Sequence, residues 1–96
     1  MLNIRYTKKA FKDLDRLFKT IFSDKPLVAL EYVNKLREYI KLLETNPNMG
    51  VDCKKKAIKV DCKILIFENY NIYYTIEKDY IKILTILNSK QQQNIK

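Results

Sequence analysis

The sequence predicts a two-layer α+β domain: an N-terminal strand, an antiparallel helical hairpin, then a three-stranded antiparallel meander. Three observations predict it. Apolar residues recur at steps of three and four as far as Leu43, then alternate with a period of two from Ala57. Between the two regimes, Asn46-Pro47-Asn48-Met49-Gly50 is a helix stop. The 96 residues, 47% apolar and 31% charged, have a globular balance with room for one small core and no second domain. The helices must bury an apolar stripe, and one face of a sheet supplies the partner surface.

Leu2-Asn3-Ile4-Arg5-Tyr6 alternates as a short strand does, and Thr7 offers an N-cap hydroxyl to the first helix. Ala10, Phe11, Leu14, Leu17, Phe18, Ile21 and Phe22 form its apolar stripe, while Lys8, Lys9, Lys12, Asp13, Asp15, Arg16 and Lys19 fill the other face. Ser23-Asp24-Lys25-Pro26 ends this helix and starts the next, with Asp24 as cap and Pro26 in the first turn. Ala29, Val33, Leu36, Ile40 and Leu43 mark the second stripe, widened by Leu30, Tyr32 and Tyr39, and Tyr32 and Tyr39 are read as lining the hairpin seam.

Residues 51–56 read as a basic connection. Ile58, Val60, Cys62, Ile64 and Ile66 then alternate with Lys59, Asp61, Lys63, Leu65 and Phe67. Two-residue turns at Glu68-Asn69 and Lys78-Asp79 lead into strands at residues 70–77 and 80–87. Tyr70 and Tyr74 are read as core, with Tyr73 open to a functional role. The sheet face away from the helices, read as carrying Lys59, Lys63, Asn71, Tyr73 and Lys82, is the expected place for a site. Residues 1–90 are taken as the single domain and 91–96 as a polar, frayed tail.

Nineteen Lys and Arg against eleven Asp and Glu give a net charge of +8, a field that attracts polyanions or an acidic protein segment. With no histidine, the usual acid–base group and the commonest metal ligand are both missing. Cys53 and Cys62 lack partners for a zinc site and are expected as reduced thiols, with Cys62 as core filler. A single glycine excludes a Gly-rich phosphate loop. No apolar run approaches the roughly 18 residues of a membrane span, and no signal-peptide block opens the chain. The expectation is a soluble, cytoplasmic protein with no cofactor, no metal and no membrane partner.

A helical hairpin ending in Asn46-Pro47-x-x-Gly50, a basic strand, then Asn69-Tyr70-x-Ile72-x-Tyr74-x-Ile76 and Ile81-x-Ile83-Leu84-x-Ile86-Leu87 resembles the RelE/ParE superfamily of bacterial toxins. The resemblance runs from about Leu2 to Lys90. It implies the toxic half of a type II toxin–antitoxin pair, with a cognate antitoxin as partner.

Two activities compete within that superfamily. RelE-like members resemble ribosome-dependent mRNA endonucleases, and ParE-like members resemble poisons of DNA gyrase with no chemistry of their own. RNA strand transfer needs a base, phosphate-binding cations and an acid for the leaving oxygen. At the positions where RelE-like toxins carry them, this chain has Asp61 and Lys63, Asn71 and Lys90, and no tyrosine follows Tyr80. A lysine replaces arginine as a charge but not as a planar fork. If the chain is a nuclease, the resemblance leaves Lys63, Lys90 and Tyr73 to carry the chemistry. Tyr73-Tyr74-x-Ile76-Glu77 and Ile86-Leu87-x-x-Lys90 stand closer to the ParE-like branch, with Thr85 and Asn88 where its commonest pattern has arginine and histidine.

The reading is a ParE-like gyrase poison, with an mRNA endonuclease as the alternative and a non-toxic basic interaction module as the third. The cations assigned to target or nucleic-acid binding are Lys54, Lys55, Lys56, Lys59, Lys63 and Lys90.

Overall fold

The computed structural model describes residues 2–56 and 61–90. Strand β1 (Asn3–Tyr6) leads into helices α1 (Lys8–Asp24) and α2 (Pro26–Lys41), followed by a 3₁₀ turn at Leu42–Glu44. Strand β2 (Val51–Asp52), a second 3₁₀ turn (Cys53–Lys56), and strands β3 (Lys63–Phe67), β4 (Tyr70–Ile76) and β5 (Tyr80–Asn88) complete it. The sheet order is β1-β5-β4-β3-β2, with β1 parallel to β5 and every other pair antiparallel.

The α+β class and the three-stranded meander match the expectation, and the N-terminal strand joins the sheet. Two boundaries differ. The basic connection contributes a two-residue edge strand, β2, and among the described residues Asp61 and Cys62 precede rather than join β3, which starts at Lys63. Ala57 to Val60, Lys59 among them, and the tail at 91–96 lie outside the described residues. At the other turns, Glu68-Asn69 links β3 to β4, with Glu68 at φ 52°. Glu77 N–H donates to Tyr80 O at 2.8 Å and closes the turn at Lys78-Asp79.

Thr7 caps α1 as expected: its Oγ1 accepts from Ala10 N–H at 3.0 Å and donates to Leu84 O at 2.8 Å. Asp24 does not cap α2. The first helix runs through Asp24, leaving Lys25 as the only linking residue, and Lys25 makes no side-chain cap bond. Pro26 disfavours helical geometry in the residue before it, and Lys25 accordingly sits at φ −137°, ψ 82°.

The main core lies between the helices and one sheet face. Ala10, Leu14 and Leu17 of α1 and Leu36 and Ile40 of α2 meet Leu65, Ile72, Tyr74, Ile81, Ile83 and Ile86. Each such Leu or Ile contributes about 1.5–3 kcal/mol by burial. The α1 stripe is rotated from the expected one: Phe11 and Phe22 are exposed, as is Leu30 of α2, while Asp13 is 4% exposed. Tyr32 and Tyr39 pack on Phe67 at centroid distances of 5.7 and 5.4 Å, at the end of the sheet rather than in the hairpin seam.

A smaller cluster of Cys53, Cys62 and Ile64, with Tyr73 and Leu84, occupies the opposite sheet face. Cys53 and Cys62 are joined by a disulfide, not reduced as expected. The reason lies in register. Val51 pairs with Ile64 and Asp52 with Lys63, so Cys53 and Cys62 fall opposite each other one step further on. Their Cα atoms are 5.3 Å apart, within bridging range.

Candidate functional site

The expected site residues divide between two faces and two ends of the sheet. Residues directly opposite on paired strands share a face. Lys63 pairs with Tyr74, Leu65 with Ile72, and Phe67 with Tyr70, and these last five pack in or against the helix-side core. Lys63 therefore belongs to the helix-side parity. Tyr73, paired with Ile64, and Asn71, paired with Ile66, belong to the other face. The expectation that Lys63, Asn71 and Tyr73 share the open face is corrected: strict alternation along β3 and β4 separates them.

Lys63 is half-buried where β3 begins, and it lines a cleft of about 280 Å³ with Asp52, Asp61, Thr75 and Glu77. Three carboxylates thus line the same cleft as that cation. Lys54 is exposed in the turn beside it, and its backbone N–H donates to Asp52 Oδ1 at 3.3 Å. Lys55 and Lys56 belong to the same turn. Tyr73 is half-buried against the disulfide cluster.

Lys90 lies at the opposite end. It is exposed just past β5, its N–H donating to Asn88 Oδ1 at 2.9 Å. Asn88 pairs with Tyr70, and Ser89 N–H donates to Asn69 O at 2.7 Å, which fixes Lys90 beside the β3–β4 turn. From Tyr70 to Tyr74, the partner of Lys63, β4 advances four residues, or about 13 Å. The fold groups Lys54 with Lys63 and leaves Lys90 apart.

Lys82 does lie on the open face, as expected, and Arg5, a cation outside the expected set, stands beside it. Arg5 and Lys82 are register partners in β1 and β5, both exposed, and Arg5 Cζ lies 4.5 Å over the ring of Tyr80. Lys82 also pairs with Thr75 of β4, which follows Tyr73 and Tyr74. The sequence places Arg5 opposite Ile4 in parity, but the pairing of β1 with β5 is non-local and carries no local signal.

Asp13 is the other residue the sequence conceals. A register shift between Tyr73 and Tyr74 pairs Tyr73 with Thr85 and Tyr74 with Ile83, leaving Leu84 unpaired in β5. The β1–β5 pairing ends at Tyr6 and Ile83, so groups on α1 and its cap bond β5 beyond that point. Thr7 takes Leu84 O, and Asp13 Oδ2 accepts from Ile86 N–H at 2.9 Å and from Thr85 Oγ1 at 2.5 Å. Lys9 Nζ donates to both Asp13 oxygens at 3.2 Å, and Arg16 stands 3.6 Å away. Burial pushes the Asp13 carboxyl up, but the bonds from Thr85, Ile86 and Lys9, with the Lys9 charge, outweigh it and hold the pKa below its ordinary value.

Among the described residues, no helix is long and apolar enough to cross a membrane. The fold is similar to that of a solved chain described as "Chromosomal ParDE TA system from P. aeruginosa", with a TM-score of 0.76 and 24% identity over 92% of this chain and 96% of that one. A search of curated protein sequences returned no match. Residues 4–93 match the family model of the ParE toxin of the type II toxin–antitoxin system parDE. That span covers almost the whole sequence, and the chain belongs to the ParE toxin family.

Proposed function

We propose that this toxin arrests growth by poisoning DNA gyrase through surface contacts, and that a cognate antitoxin neutralises it. Family membership supports the toxin–antitoxin assignment. The observation that favours gyrase contact over mRNA cleavage is the separation of Lys63 from Lys90 along the β3–β4 ladder. A nuclease needs its cations and its proton-transfer groups around one phosphate. Lysines carried on backbone about 13 Å apart along the ladder are not preorganised around one phosphate, whereas a protein target is met by dispersed contacts.

On this reading the target-facing cations are Lys54, Lys55, Lys56 and Lys63 at one end, Lys59, which lies outside the described residues, and Lys90 as a separate contact. An antitoxin tail that folds on binding carries acidic residues to meet the +8 surface and apolar anchors to offset its ordering cost. Purified chain added to gyrase and relaxed plasmid should lower supercoiling, and translated mRNA on ribosomes should stay intact. Cleavage of ribosome-bound mRNA that Lys63→Ala abolishes would overturn the proposal.

A further inference from the structure

We propose that the outer edge of β1 is a self-association site, where a second copy of this chain adds its own β1 to make one continuous sheet. The inference is independent of the gyrase reading. β1 is the last strand of the sheet, paired on one side with β5. Thr7 N–H donates to Ile83 O at 3.1 Å, toward β5, while Leu2 N–H donates the other way, to Glu44 O at 3.1 Å. Successive residues of a strand turn their backbone groups to opposite sides, so Asn3 and Arg5 serve the β5 ladder. Ile4 and Tyr6 turn theirs outward. Such a row of backbone groups is a template for another strand.

Beside that edge lies a groove of about 370 Å³, lined by Ile4 and Tyr6 of β1 and by Arg37, Glu38, Lys41 and Glu44. Its charged residues supply two charges of each sign, in a chain whose net charge is +8. The ion pairs among the described residues use other side chains. An acidic segment would meet Glu38 and Glu44 here, whereas a balanced patch matches its own copy across a two-fold axis.

The order of the charges makes that match specific. Glu44 stands at the Leu2 end, and Arg37 Cζ lies 5.5 Å over the Tyr6 ring at the other. A two-fold axis normal to the sheet at Ile4 runs the two β1 strands antiparallel. It brings the Leu2 end of one copy to the Tyr6 end of the other. Glu44 then faces the second copy's Arg37, and Lys41 faces its Glu38, each pair occurring twice. The two Ile4 residues exchange N–H···O bonds, and each Tyr6 N–H reaches the second copy's Leu2 O. An axis at Arg5 would set two like charges directly opposite, which disfavours that register. With the axis at Ile4, Arg5 lies across from the second copy's Asn3. Both copies keep their helices on one side of the joined sheet, and both Arg5–Lys82 pairs lie on the other.

The experiment is sedimentation equilibrium of the full-length chain without antitoxin, across the micromolar range, on wild type, Arg37→Glu and Glu44→Arg. Wild type is expected to dimerise. Each variant should weaken dimerisation about tenfold or more, since each sets like charges at both contacts. An equimolar mixture of the two variants should recover dimers, because the two reversed charges then face each other. A folding defect cannot produce that recovery. A wild type that stays monomeric overturns the proposal, as do dimers that neither variant weakens, or variants whose mixture does not recover. If a variant does not fold, amide exchange in wild type decides: Ile4 and Tyr6 N–H should exchange more slowly at high protein concentration than at low. Equal rates overturn the site. Protection of those two amides only on adding antitoxin would also overturn it and give the edge to the antitoxin.

Discussion

The backbone N–H of Gly50 donates to Tyr74 Oη at 3.0 Å, and that hydroxyl donates in turn to Pro47 O at 2.7 Å. The segment that stops the helices is thereby pinned to the middle of β4 by a wholly buried ring. Glycine is needed for closeness rather than for an unusual backbone angle. A Cβ at position 50 would stand 2.7 Å from Tyr74 Oη and 2.8 Å from Ile64 O. Burial raises the Tyr74 pKa, with the Gly50 N–H partly opposing it, so the hydroxyl stays protonated and able to donate.

Gly50→Ala is expected to cost about 1–3 kcal/mol through overpacking. Tyr74→Phe leaves the Gly50 N–H and the Pro47 carbonyl without this partner, also at about 1–3 kcal/mol. Since the hydroxyl removed is one of the atoms a new Cβ meets, the double variant should cost less than the sum of the singles. Urea unfolding of the four proteins measures the coupling, and strict additivity would refute the contact as the source of the cost.

Asp13 should make the protein acid-sensitive. Its folded pKa is held below the ordinary value of 3.8, so its contribution is fully present above that value and is lost as pH falls through the folded pKa. Asp13→Asn should cost about 1–3 kcal/mol near neutral pH by mismatching the donors of Thr85 and Ile86. The difference in stability between wild type and Asp13→Asn should shrink below about pH 4. Denaturant midpoints from pH 7 to pH 2.5 test this; a constant gap would show that the charge of Asp13 plays no part.

These two residues show what is legible in the sequence and what is not. Asn46 to Gly50 reads as a helix stop because proline, glycine and asparagine punctuate locally, yet the Gly50–Tyr74 bond spans 24 positions. Asp13 reads as a solvated member of a charged helix face, because nothing local announces a bulge 72 residues away that needs an acceptor. Helices and strand alternation come from short-range periodicity and were recoverable. The two-residue β2, the parity of Lys63 and the β1–β5 pairing depend on register between distant segments. The cysteines mislead in another way: an expected intracellular setting suggests free thiols, whereas their bridge follows from register with β3.

The open-face pair offers a test of function separate from stability. Arg5 and Lys82 are exposed, and the Arg5–Tyr80 stack at 4.5 Å is worth about 0.5–1 kcal/mol at such a site. Arg5→Ala and Lys82→Ala should each change unfolding free energy by no more than about 1 kcal/mol. If the open face meets gyrase, the double variant should weaken inhibition of supercoiling by about tenfold or more, with the larger effect at low salt. Unchanged inhibition would leave target contact with the β2–β3 end and Lys90.

Binding of the antitoxin should depend on ionic strength. The chain carries +8 without histidine, so its charge is nearly constant between pH 6 and 8 across ordinary buffers. A titration of the cognate antitoxin at increasing salt should show affinity falling, mainly through a slower association rate. Affinity independent of salt would place the interface on apolar contacts only.

The strongest test of target class uses the distance between two lysines. Lys63 sits across from Tyr74, while Lys90 follows the Asn88–Tyr70 pair at the far end of the same ladder. Sites this far apart without shared partners usually combine additively, within about 0.3–0.5 kcal/mol. Lys63→Ala and Lys90→Ala should therefore each weaken gyrase inhibition modestly, and the double variant by the product of the two factors. In a catalytic site the two would act as a unit on one phosphate, and the second substitution would add little to the first. A gyrase titration of wild type, both singles and the double gives the cycle directly. Strong non-additivity, together with loss of an mRNA-cutting activity, would move this toxin to the nuclease class; additive and salt-screened losses would hold it with the gyrase poisons.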